Sequence, residues 1–119
     1  MPGKSSKPAV LCVVDRRNSR TLRVIEAVGF RVLTTYSGDH AVALCVNQPV
    51  DAVVLEQSLF IEVEGWSVAQ SIKMVRPKTC VVLVTDSAPI SQTVPDGVDA
   101  VVQKKNLNTL PAVLHTLIR

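Results

Sequence analysis

The sequence predicts an α/β domain: a five-stranded parallel sheet with helices on both faces. Three observations carry this. Five β-rich runs recur at similar intervals along the chain, and helix-like segments with capping and stop residues separate them. The first, third and fourth runs are apolar at nearly every position, as strands covered on both faces must be.

The elements follow in order. "AVLCVV" (9–14) reads as a central strand, and "NSRTLRVIEAV" (18–28) as a helix stopped by Gly29. "RVLTTY" (31–36) is half polar, which suits an edge strand. "SGDHAVALCV" (37–46) opens with capping residues and places Ala41, Leu44 and Cys45 at helical spacing. "DAVVL" (51–55) is the third strand. "GWSVAQSIKMV" (65–75) puts Val68, Ile72 and Val75 on one helix face before Pro77 ends it. "CVVLV" (80–84) and "DAVVQ" (99–103) are the fourth and fifth strands. Between them "DSAPISQTVPDG" (86–97) leaves room for a helical turn or two, so the fourth of five helices is short or degenerate. The last helix, from about 108 to 118, repeats Leu110, Val113, Leu114, Leu117 and Ile118 at helical spacing. Pro111 is tolerated in its first turn.

A chain of 119 residues with 47% apolar composition supports one domain with a sizeable core. Residues 1–7 ("MPGKSSK") read as a flexible polar tail and 8–119 as the domain. The net charge of +3 permits an acidic partner without demanding one. Aromatics at 3% are too few for a base-stacking surface. Cys12, Cys45 and Cys80 stand singly in apolar runs, which reads as packing in a reducing cytosol. No apolar run approaches the roughly 18 residues of a membrane helix, and no signal peptide opens the chain. The expectation is a soluble, cytoplasmic protein.

The third strand runs straight into Glu56, and an ionised carboxylate at the end of a buried strand is costly unless it is partnered. In parallel sheets functional groups gather at the carboxyl ends of the strands. With strand order 2-1-3-4-5, that rim brings together Asp15, Glu56, Thr85 and Lys104, with Arg16 and Lys105 beside them.

These pieces, taken in order, resemble a bacterial response-regulator receiver domain over residues 8 to 118. "LCVVDR" is similar to the family's first strand, "PVDAVVLEQSL" to its phosphoacceptor strand, "VVLVT" to the strand ending in a hydroxyl residue, and "GVDAVVQK" to the last strand with its lysine. The resemblance implies a flavodoxin-like fold and a phosphoacceptor aspartate fed by a histidine kinase. It also implies two acidic residues that help hold Mg²⁺, and an aromatic switch on the fifth strand. Carried over position by position, the phosphoacceptor is Glu56, the acidic pair is Asp15 and Arg16, and Thr85 and Lys104 match. The switch position is Val101, and Lys105 replaces the usual proline.

Such a site uses clustered negative charge to hold a hard divalent ion. Arg16 in place of an acid, with Lys104 opposite, leaves the cluster neutral, so no metal and no other cofactor is expected. Glu56 is expected to accept hydrogen bonds from Thr85 and Lys104, either imitating the phosphorylated state or marking a decayed site. Val101 favours decay, since a small aliphatic cannot make an aromatic swing. Trp66, Lys105 and Leu110 are candidates for an interface, and a homodimer is compatible with them. Arg16, Arg20 and Arg23 at helical spacing could touch nucleic acid, but a solvated face accounts for them more simply. Glu62 and Glu64 read as a solvated acidic loop, and His40 and His115 as surface or helix-packing residues.

The predicted function is a non-enzymatic, degenerate receiver-like signalling domain of a two-component phosphorelay. It would act through protein–protein contact with a histidine kinase or effector. The alternatives are a working receiver phosphorylated by a kinase and, behind it, nucleic-acid binding through the arginine face.

Overall fold

A computed structural model describes residues 7–14, 19–56, 62–85 and 97–118, with backbone alone for 62–67. The described elements are β1 (Ala9–Val13), α1 (Arg20–Glu26), β2 (Arg31–Thr35), α2 (Gly38–Asn47), β3 (Ala52–Glu56) and α3 (Glu62–Val75), then β4 (Cys80–Thr85), β5 (Ala100–Gln103), a 3₁₀ segment (Lys104–Thr109) and α4 (Leu110–Ile118). All five strands are parallel in the order β2-β1-β3-β4-β5. This is the predicted topology. The predicted short fourth helix falls on 86–97, of which 86–96 lie outside the described residues.

Strand alternation divides the core in two. Val10, Cys12, Val54, Val82, Val84 and Val102 face α1 and α4, where Leu22, Ile25, Leu110 and Leu114 meet them. Leu11, Val13, Val53, Leu55, Val81 and Leu83 face α2 and α3, against Ala41, Cys45, Ala69 and Ile72. β1, β3 and β4 are thus covered on both sides, which explains their unbroken apolar runs. β2, at the edge, is partly exposed as its mixed composition requires.

Two boundaries differ from the sequence reading. α3 starts at Glu62, a turn before Gly65, so this glycine sits inside a helix and does not open it. The last helix is preceded by six residues of 3₁₀ geometry, with Asn106 at φ −115° and ψ 28° marking a kink that no residue preference announced.

The sequence "VDAVV" occurs twice, and both copies do the same work. Asp51 donates its N–H to the Ala9 carbonyl at 2.9 Å and accepts the Ala9 N–H on Oδ2 at 2.8 Å. Asp99 repeats this with Val81, at 2.7 and 2.8 Å, and adds a 2.7 Å ion pair to Lys73. An aspartate just before each of β3 and β5 therefore occupies both backbone groups of a residue at the start of the neighbouring strand, the first of β1 and the second of β4. A one-residue slip would break both bonds and turn every side chain to the wrong face.

Just upstream, Gly97 has φ +86°, and a Cβ there would lie 3.1 Å from the Gln70 backbone nitrogen and 3.2 Å from the Ala69 carbonyl carbon. Both the left-handed backbone and the tight approach to α3 select glycine. Gly97→Ala should lower the unfolding free energy by about 1–3 kcal/mol. Urea denaturation of the purified variant checks this.

Candidate functional site

The carboxyl ends of β3 and β4 carry two buried polar residues. Glu56 is the last residue of β3, in register with Val84, and only 3% exposed. Alternation continues Ala52 and Val54 to Glu56, so its side chain leaves the sheet on the α1 face. There its Oε2 accepts two hydrogen bonds, from Ser19 Oγ at 2.9 Å and from Thr21 Oγ1 at 2.7 Å.

Both donors belong to the first turn of α1. Ser19 is the N-cap, and its hydroxyl also accepts the Leu22 N–H at 3.4 Å. One hydroxyl thus serves the helix terminus and the carboxylate together. Thr21, two residues on, is fully buried, which leaves its hydroxyl dependent on Glu56. An anion at this end also meets the positive end of the helix dipole. The extra methylene of glutamate gives the reach this arrangement uses.

The partners differ from those the sequence suggested. Among the described residues, the hydrogen-bond partners of Glu56 are Ser19 and Thr21, not Thr85 and Lys104. Thr85 ends β4, buried and in register with Gln103. Alternation sets it with Val81 and Leu83, on the opposite face of the sheet from Glu56. Lys104 is half-buried at the start of the 3₁₀ segment, and both it and Thr85 have partners of their own. Ser19 and Thr21 could have been found in the sequence by counting two residues at a time from Ala52 to Glu56. That count points the carboxylate at the helix that begins "SRTL".

Asp15 and Arg16 lie outside the described residues, as do the side chains of Trp66, Glu62 and Glu64. Val101 is half-buried and packs on the α2–α3 side of the core, and Lys105 is exposed. Leu110 requires a correction. It is fully buried in the α1–α4 core and presents nothing to a partner, because α4 turns its 110 and 114 positions inward. His115 lies against Phe30 at 4.9 Å between ring centroids, a helix-packing role as expected. Arg20 and Arg23 are exposed on α1. His40 is exposed too, with Nδ1 2.7 Å from the buried Thr35 hydroxyl.

Cys12 sits on β1, on the same face as Glu56 and fully buried. Burial, then the Glu56 carboxylate and then Glu26 push its thiol up to about 12 from an ordinary 9.0. The unfolded chain releases this proton near pH 9 and the folded one only near 12. The neutral thiol's contribution is therefore whole below pH 9 and is lost as pH rises through that window. The urea midpoint should accordingly fall less between pH 8.5 and pH 11 in Cys12→Ala than in the parent protein, those two conditions lying about either side of the thiol's ordinary range.

No protein-family model matches the sequence, and no curated protein matches it either. Solved structures do. A CheY-like receiver domain from Methylobacillus flagellatus superposes with a TM-score of 0.78 at 19% identity, covering 94% of this chain and 99% of that one. The fold is that of a response-regulator receiver domain. A response regulator from Thermotoga maritima, solved with Mg²⁺ and BeF, gives a TM-score of 0.78 at 22% identity, over 92% of this chain and 98% of that one. A complex of a histidine kinase with that regulator gives 0.78 at 23%, over 94% and 99%. At such identities the likeness is one of fold. At its strand ends this fold carries a glutamate tied to α1. Among the described residues, no helix is long and apolar enough to cross a membrane.

Proposed function

We propose that this chain is a receiver-like signalling domain of a two-component phosphorelay that works without phosphorylation, through contact with a protein partner in the cytoplasm. The observation that carries the reading is the state of Glu56. It occupies the position that accepts phosphate in the domains it resembles, yet it is 3% exposed, with Oε2 bound by two hydroxyls. Phosphoryl transfer needs a carboxylate oxygen open to an in-line donor and a cation beside it. This carboxylate is enclosed and already engaged.

The donor set does not suit a divalent ion either. By the position-by-position resemblance the acids of the site are Asp15 and Glu56, and Arg16 stands where a second acid of the first strand would be. A guanidinium in that place opposes a cation. No step is therefore routed through Mg²⁺. The bonds from Ser19 and Thr21 favour a structural tie over an imitation of phosphate, since they hold α1 to the sheet and leave the Thr85 side of the strand ends aside. A histidine kinase or a downstream effector is the partner of choice, and a homodimer is compatible with the fold. Residues 8–119 form the unit we assign to this role, with 1–7 as its tail.

Incubation with acetyl phosphate and Mg²⁺, followed by intact-mass measurement, tests the reading. The mass should stay that of the unmodified protein. A stable increment of one phosphoryl group would establish the working receiver in its place.

A further inference from the structure

At the opposite end of the sheet, below the amino ends of β3 and β4, lies an open cavity of about 600 Å³. Val50, Val75, Leu117 and Ile118 supply its apolar lining, and Arg76, Lys78 and Asp51 its charged groups. Of this lining Val75 is 40% exposed at the end of α3, and Met74 (83%) and Val46 (54%) are exposed at the ends of α3 and α2. These two helix ends are locked together by Arg76. Its Nε donates to the Cys45 carbonyl at 2.7 Å and its Nη2 to the Val46 carbonyl at 3.4 Å.

An apolar side chain such as Val75, 40% exposed in the wall of a cavity, is the pattern of a contact surface. The charge balance names the kind of partner. Arg76 is fixed in place by two carbonyls, which leaves other donors of its fork for an incoming carboxylate. Lys78 is exposed beside it. The carboxylate of Asp51, which also lines the cavity, already accepts the Ala9 N–H. With two cationic side chains against one carboxylate, the rim is net positive over an apolar floor. The surface is concave, which suits an inserted side chain better than it suits a flat bilayer.

We infer that this basal cavity docks an acidic amphipathic segment of a partner protein, one apolar side chain entering between Val50, Val75 and Leu117 and a flanking carboxylate meeting Arg76 and Lys78. The surface stands at the far end of the strands from Glu56, so it operates whether or not that carboxylate is ever modified.

The probe is a short acetylated amphipathic helix of leucine and glutamate, titrated into the full chain and followed by amide and methyl NMR. Shifts should be confined to Val46, Val50, Met74 to Lys78, Leu117 and Ile118, and saturable. Affinity should fall about tenfold in Lys78→Glu, a surface change that leaves the fold intact, because like charges then face each other. It should also fall as salt is raised. Equal binding of a leucine–lysine helix would overturn the inference. So would shifts at another face, an absence of saturable binding, or binding to phosphatidylglycerol vesicles in preference to the peptide.

Discussion

Glu56→Ala should lower the unfolding free energy by about 2–4 kcal/mol, because it removes the acceptor from two buried hydroxyls at once. Hydrogen bonds to a charged group contribute about 1.5–3 kcal/mol each, and the relief of no longer burying a carboxylate offsets part of the loss. Ser19 Oγ goes on accepting the Leu22 N–H, but its hydroxyl proton and that of the fully buried Thr21 both lose the acceptor they have in Glu56. The damage should be local. Amide hydrogen exchange should quicken over α1, from Arg20 to Glu26, more than over β4, which meets Glu56 through the backbone ladder and not through the carboxylate's bonds to Ser19 and Thr21. Glu56→Gln keeps one acceptor oxygen and should cost less. Chemical denaturation of the three proteins, read with exchange at single amides, checks both magnitude and place. A loss below about 0.5 kcal/mol would mean that the hydroxyls find other partners and that the carboxylate does not hold α1.

Leu110→Ala should be at least as damaging, at about 2–5 kcal/mol, because it empties a site at the junction of α4 and the sheet. Leu110 is fully buried, beside Leu114 and Leu107, where the 3₁₀ segment passes into α4. A side chain lost there leaves a void that the short 3₁₀ segment could close only by shifting its kink at Asn106. The prediction also separates core from surface. A residue serving an interface would leave monomer stability nearly unchanged and alter self-association. Thermal denaturation together with sedimentation of Leu110→Ala distinguishes the two, and a destabilised protein of unchanged association state is the expected result.

Much of this fold is legible in the sequence because its information is local. Continuous apolar runs mark β1, β3 and β4, and the half-polar "RVLTTY" marks an edge. Parallel strands alternating with helices leave few orders to choose from. The site was legible in position and not in partnership. Glu56 could be placed at the end of β3, but its bonds depend on which face of the sheet its side chain leaves by. Treating it as the residue after the strand hid this. As the strand's last residue, it follows Ala52 and Val54 towards α1 and away from Thr85. The misreading of Leu110 has a similar origin. Helical spacing showed that Leu110, Leu114 and Leu117 share a face, but not that this face closes the core. The aspartate clamps at Asp51 and Asp99 were visible as a repeated "VDAVV", yet their bonds run to other strands, which no local pattern reports.

The closed state of the candidate site rests on a bond between a glutamate and a helix, and a double-mutant cycle measures it. Unfolding free energies of the parent protein, Glu56→Ala, Thr21→Val and the double variant give the coupling between the two side chains directly. The account predicts a favourable coupling of about 1–3 kcal/mol. Additive losses, with no coupling, would show that Thr21 does not hold the carboxylate and that Glu56 is available to another partner.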